Sequence, residues 1–78
     1  MSRIQDKTRA LIATKMKLDE SEITPEKNFF SDLGVDSLDF VELSMTLERE
    51  FNVKFTEDET AKVKTIADLY QLIEKYTK

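Results

Sequence analysis

Cysteine and histidine are both missing from the 78 residues. Without cysteine there is no disulfide framework and no thiolate metal site. Without histidine the chain lacks the side chain most often used near neutral pH as a general base or imidazole ligand. Long apolar runs are missing too, and with them a signal-peptide core or a membrane-spanning helix. These absences lead us to expect a cytoplasmic protein with no membrane insertion. Glycine and proline occur once each, as Gly34 and Pro25, in the same stretch of chain. A chain this short buries only roughly 60% of the surface its unfolded form exposes. That disfavours a deep catalytic cleft and predicts one domain, residues 1–78, that other proteins handle.

Charge is present in quantity but unevenly placed. The formal net charge is -4. Residues 1–17 carry five bases (Arg3, Lys7, Arg9, Lys15, Lys17) against Asp6, a net of +4. Residues 18–60 carry thirteen acids against Lys27, Arg49 and Lys54, a net of -10, and residues 61–78 return to +2. The acidic middle is either a solvated face that keeps a small protein soluble or a surface for a basic partner. It disfavours nucleic-acid binding. Asp32, Asp36 and Asp39 lack the ligand spacing of a calcium loop, and no metal site is expected.

The apolar pattern is helical. Ile4, Leu11, Ile12 and Met16, with Thr8 between, predict an amphipathic helix from Ser2 to about Met16. Periodicity is then lost through residues 17–36, where Ser-Glu-Ile-Thr-Pro and Gly34 supply turn chemistry. A connection that long needs anchors, for which Leu18, Ile23, Phe29, Phe30, Leu33 and Val35 are the candidates. A second helix is predicted over Ser37–Phe51, with Asp36 as N-cap and Asp39 near the third position. Thr56 with Glu59 forms a capping box for a brief helix from Glu57 to about Val63. Thr65 with Asp68 opens a last helix with the stripe Ile66, Leu69, Tyr70, Ile73 and Tyr76, its end suited by Lys75 and Lys78. The fold class expected is all-α, a four-helix bundle with a short third helix and a long loop between helices 1 and 2.

The second helix has two apolar sides. At about 100° per residue, Phe40, Leu43, Leu47 and Phe51 make an ordinary core stripe, whereas Leu38, Val41 and Met45 cluster on the opposite side. A domain of this size does not readily bury both, so the second stripe either faces solvent and partners or lies beneath the 17–36 loop. Asp39 and Glu42 border it on one side and Glu48 on the other, with Asp36 and Ser37 at its N-terminal end. An apolar strip rimmed with acids suits a transient docking surface steered by charge.

Ser37 is not a hydrolase nucleophile, because no histidine exists to activate it and no lysine lies a helical turn away. The spacing from Gly34 also departs from the GxSxG elbow. Two readings remain: a helix-start residue serving local hydrogen bonding, or a modified hydroxyl. A helix N-terminus favours an attached phosphate, and the flanking Asp36 and Asp39 then serve as contacts for a modifying enzyme.

The segment FFSDLGVDSLDFVELSMTLEREF resembles the central signature of acyl carrier proteins, and the likeness extends to the Thr-Glu-Asp-Glu short helix and the closing KTIADLYQLI. The resemblance implies that Ser37 bears 4'-phosphopantetheine, covalently attached from coenzyme A, and that Asp36 serves the phosphopantetheinyl transferase and its magnesium. It implies that Leu38, Asp39, Val41, Glu42, Met45 and Glu48 form the recognition face. The implied protein is a monomeric, non-catalytic carrier of fatty acyl thioesters. Its implied partners are the transferase, fatty acid synthesis enzymes with basic docking patches, and acyltransferases. Phe29, Leu43, Leu47, Val63, Leu69 and Ile73 are the implied acyl-lining residues. Arg49, which interrupts the acidic helix, and the bulky Phe40 and Phe55 depart from the pattern and bear on partner choice and cavity shape. A carrier dedicated to a specialised acyl, aminoacyl or peptidyl pathway is the alternative within carriers. An unmodified interaction module is the alternative outside them.

Overall fold

A computed structural model describes residues 3–77. Four α-helices follow in order, α1 (Arg3–Met16), α2 (Ser37–Phe51), α3 (Glu57–Ala61) and α4 (Ile66–Thr77), with a single 3-10 turn at Glu20–Glu22 inside the long first connection. This is the all-α architecture that the apolar periodicity predicts. Among the described residues the only β-type pairing is an isolated bridge between Asn28 and Thr65.

α1 buries Thr8, Ile12 and Ala13, with Ile4, Leu11 and Met16 packed at the edge of the core. It ends where Lys17 adopts φ 59 and the Leu18 N–H donates to the Ala13 carbonyl at 2.9 Å, a left-handed cap that satisfies an otherwise orphaned carbonyl. Ser2, the expected first residue of this helix, lies outside the described residues. α1 packs against both α2 and α4. Its bases reach neighbouring acids: Lys7 lies 2.6 Å from Glu50, Lys15 lies 3.8 Å from Glu42, and Arg9 bonds Asp6 at 2.8 Å and Glu20 at 3.4 Å.

The long connection is fastened by backbone as well as by apolar anchors. Ile23, Phe29 and Val35 are buried as expected, and Leu18 and Leu33 pack partly against the core. The segment from Pro25 to Phe29 is also tied to the α3–α4 link and the first turn of α4: Phe29 N–H donates to Lys64 at 2.9 Å, Ile66 N–H to Lys27 at 3.0 Å and Ala67 N–H to Pro25 at 2.9 Å. Asn28 Oδ1 accepts from the N–H groups of Phe30 and Ser31, and Asp32 Oδ2 accepts from Asn28 N–H at 2.7 Å. These bonds satisfy the backbone groups of a segment that has no helix to do so. Phe30, expected as an anchor, instead remains 38% exposed, its ring 5.5 Å from that of Phe40.

α3 stops at Ala61 rather than near Val63, because Lys62 and Val63 close it with short-range bonds to Glu59 and Thr60 and Val63 turns into the core. Five residues are too few for a helix to stand alone. Thr56 and Glu59 make the expected reciprocal capping box. Glu59 also accepts from Lys75 Nζ at 2.8 Å and from the Tyr76 hydroxyl, clasping α3 to the end of α4. Lys75, then the Thr56 N–H, then Tyr76 hold the Glu59 carboxyl down at about 2.

Thr65 and Asp68 cap α4 reciprocally, at 3.2 Å and 3.1 Å, and Asp68 also accepts from the Lys64 N–H at 3.0 Å. Those backbone donors lower the Asp68 pKa. Ile66, Leu69, Tyr70 and Ile73 form the predicted inward stripe, joined by Leu72. Tyr76 sits at the end of the stripe and is 37% exposed, its ring 5.7 Å from Phe55. Lys78, expected to complement the C-terminal dipole, lies outside the described residues.

Candidate functional site

The site is assembled at the start of α2. Gly34 turns the chain with φ +69, and a Cβ there would meet nothing within 4 Å, so the glycine serves the backbone conformation rather than a close approach. Val35 is buried and its N–H donates to the Phe29 carbonyl at 2.9 Å, fastening the chain just ahead of the helix. Asp36 is the N-cap, its Oδ1 accepting from Asp39 N–H at 2.9 Å. The capping duty therefore falls on Asp36 and not on Ser37. Ser37 is the first helical residue, exposed, and no hydrogen bond among the described residues engages its hydroxyl.

α2 turns its two apolar sides in opposite directions. Phe40, Leu43 and Leu47 are buried, as is Ser44, whose hydroxyl donates to the Phe40 carbonyl at 2.9 Å. Phe51 packs at the edge of the core beneath Lys7. Leu38, Val41 and Met45 are 77%, 52% and 45% exposed, so the 17–36 connection does not cover them. Asp39 and Glu42 are exposed beside them. Glu48 differs from the expected free rim acid: it is half-buried and its Oε2 accepts from Phe55 N–H at 2.7 Å, tying α2 to the link that follows. Arg49 is exposed, and at about 100° per residue it falls in line with Leu38 and Met45. No ion pair engages it among the described residues.

A groove of about 260 Å³ opens beside Ser37, between α2 and α3, lined by Phe30, Phe40 and Val41 on one side and by Glu57, Thr60, Ala61, Val63 and Lys64 on the other. A second depression of about 220 Å³ continues along Val41, Met45 and Phe55. Of the six residues expected to line an acyl cavity, only Val63 borders this space. Phe29, Leu43, Leu47, Leu69 and Ile73 are close-packed at 0% or 1% exposure, because the core closes over them. The aromatic edge at Phe30 and Phe40 and the α3 wall were not identified from the sequence, since they depend on how closely α3 approaches α2. The larger depression, about 320 Å³ between α3 and α4, is lined by Glu59, Lys62, Asp68 and Lys75 and does not reach Ser37. Glu59 and Asp68 already use their carboxylates for capping and clasping there.

An exposed, unengaged hydroxyl at the N-terminus of a fifteen-residue helix, with an open and partly apolar groove alongside, fits a group esterified at the surface. Residues 6–73 match the model of the family described as "Phosphopantetheine attachment site". The chain is 42% identical over its whole length, and over the whole of theirs, to acyl carrier proteins from two strains of Porphyromonas gingivalis. A solved structure assigned as an acyl carrier protein in Mycobacterium tuberculosis superposes with a TM-score of 0.89 at 27% identity, covering 94% of this chain and 97% of that one.

Fold and site thus define a carrier domain that takes a covalent 4'-phosphopantetheine. The chain belongs to the acyl carrier protein family. The function that goes with that membership is carriage of acyl chains for fatty acid synthesis, and the chain is not itself a catalyst. Enzymes of fatty acid synthesis are the class of partner. No described helix is long and apolar enough to cross a membrane.

Proposed function

We propose that Ser37 is the attachment hydroxyl and that residues 1–78 act as one monomeric carrier domain in the cytoplasm. The observation that supports this most directly is the division of labour at the head of α2, where Asp36 caps the helix and leaves the Ser37 hydroxyl exposed and unengaged. Loading by a phosphopantetheinyl transferase forms one phosphodiester at Ser37 Oγ. It breaks the pyrophosphate of coenzyme A, releases adenosine 3',5'-bisphosphate, and passes the serine proton to a base of the transferase. The arm supplies the thiol that this cysteine-free chain lacks, and acyl groups ride on it as thioesters. Asp36 keeps one carboxylate oxygen clear of the cap for the transferase and its magnesium.

Leu38, Val41 and Met45 supply the apolar anchors of the partner face, and Asp39 and Glu42 steer basic patches on synthesis enzymes and acyltransferases toward it. Glu48 contributes through the oxygen that Phe55 does not occupy. The α2–α3 groove, walled by Phe40, Val41, Ala61 and Val63, is where an acyl chain finds cover without opening the packed centre of the bundle. A dedicated carrier for a specialised acyl pathway is the second reading. It is favoured by Arg49, which puts a cation on the docking stripe.

Incubation with coenzyme A, magnesium and a broad-specificity phosphopantetheinyl transferase tests the assignment by intact mass. Wild type is expected to gain one phosphopantetheine and Ser37→Ala none. No gain in wild type, or an equal gain in both, overturns it.

A further inference from the structure

Resting on Ser37 as the attachment point, we infer that Lys64 is the counter-ion for the phosphodiester of the arm and draws the arm across the α2–α3 groove. A phosphodiester placed at Ser37 enters an unfavourable field. Asp36 and Asp39 flank it, and the groove beside it carries a third carboxylate, Glu57. The helix N-terminus offsets part of that charge, but only within its first turn. Lys64 is the one cation among the residues that line the groove with Ser37.

Its backbone is fixed at both ends. The Lys64 N–H donates to Asp68 at 3.0 Å and its carbonyl accepts from Phe29 N–H at 2.9 Å, so the root of the side chain is held at the groove. No carboxylate pairs with its ammonium among the described residues. Lys62, two residues earlier, lines the separate α3–α4 depression with Glu59 and Asp68, so the two lysines serve different faces. A flexible four-carbon stem ending in a compact charge lets the ammonium meet a phosphate oxygen as a point charge. With the phosphate held on the Lys64 side and away from Glu57, the arm leaves Ser37 over the apolar strip formed by Val41, Ala61 and Val63.

The test uses isotope-labelled full-length chain loaded with unlabelled coenzyme A, comparing wild type, Lys64→Ala and Lys62→Ala. Lys64 uses only backbone atoms structurally, so Lys64→Ala is expected to keep the wild-type amide spectrum. Intact mass reports loading in each. In wild type the Lys64 Cε and Hε resonances are expected to move on loading, and the arm methyls to show isotope-filtered NOEs to Val41 and Ala61. Lys64→Ala is expected to weaken those NOEs by about 1.5-fold to 5-fold, the occupancy that an exposed ion pair commands, while Lys62→Ala leaves them unchanged. Complete loading with unmoved Lys64 resonances, with NOEs indifferent to Lys64→Ala, or with equal loss in Lys62→Ala overturns the inference and leaves Ser37 as the attachment site. Absence of any mass gain removes both.

Discussion

Leu38 and Leu43 stand five residues apart on one helix, and truncating each to alanine separates the two sides of α2. Leu43 is fully buried, so its removal takes away transfer energy and leaves a cavity, a loss of about 2–5 kcal/mol. Leu38 keeps 77% of its surface exposed. Full burial of a leucine is worth about 1.5–3 kcal/mol, so the quarter that is covered contributes about 0.3–0.7 kcal/mol. The higher helix propensity of alanine offsets about 0.2 kcal/mol of that. Urea unfolding should therefore separate the variants by at least about 1.5 kcal/mol, against a total stability of about 4–12 kcal/mol for a chain this size. Loading kinetics should rank them the other way. Leu38→Ala removes a proposed anchor, and at about 1–2 kcal/mol it should lower kcat/KM for the transferase about 5-fold to 30-fold. Leu43→Ala, assayed where it is still folded, should load within about 3-fold of wild type. If Leu38→Ala unfolds as readily as Leu43→Ala, or is stable but loads at the wild-type rate, the assignment of an outward docking stripe fails.

Three further outcomes follow from the same geometry. Asp36→Ala removes the cap on α2 and should cost about 0.5–2 kcal/mol in urea unfolding, with slower loading; unchanged stability refutes the capping role. Glu59 is held at about 2 against an ordinary 4.5, chiefly by Lys75, so its contribution is complete above about 4.5 and is lost as pH falls through about 2; Asp68 is displaced in the same sense. Glu59→Gln should thus be destabilised at pH 7, with the gap to wild type narrowing below about pH 4.5 and closing only as pH reaches about 2 in thermal unfolding scans, and a constant gap refutes the clasp. The net charge of -10 on residues 18–60 predicts that added salt, and magnesium more strongly, raises Tm. Relief of about 1 kcal/mol corresponds to about 4–8 °C, and a flat or falling Tm refutes that balance.

The elements that could be read from the sequence were those governed by local chemistry. Asp36, Thr56 and Thr65 each announce a helix because capping needs only residues three apart, and all three caps are present. The second apolar side of α2 followed from angle alone. What escaped depended on distant parts of the chain. Nothing local to Pro25, Lys27 or Phe29 says that their backbone groups will bond Ala67, Ile66 and Lys64. Glu48 reads as a rim acid until the chain doubles back and offers it the Phe55 N–H. Phe30 has the hydrophobicity of a core anchor, yet Phe29 and Val35 fill that space and leave it at the mouth of the groove. The expected acyl-lining residues are buried, all but Val63 away from the open groove, because apolar pattern identifies what is buried, whereas an open space lies where packing stops.

The charge of the molecule is likewise set by pairing more than by composition. Two of the four bases of α1 are closely paired, Lys7 with Glu50 and Arg9 with Asp6 and Glu20, which reduces the basic surface the helix presents. In the first half of α2 the only ion pair among the described residues is the long one from Lys15 to Glu42, at 3.8 Å, and a pair that exposed and that long is worth little. The negative field is therefore concentrated beside Ser37, more sharply than a net charge of -4 suggests. Eleven residues along α2 from Leu38, Arg49 reverses the sign on the line of Leu38 and Met45, about 16 Å away at 1.5 Å per residue. A partner with a uniformly basic patch meets that cation as a repulsive element, whereas one whose bases are confined to the Ser37 end does not. On the proposed docking face, therefore, the acids draw a basic partner in and the arginine favours one orientation.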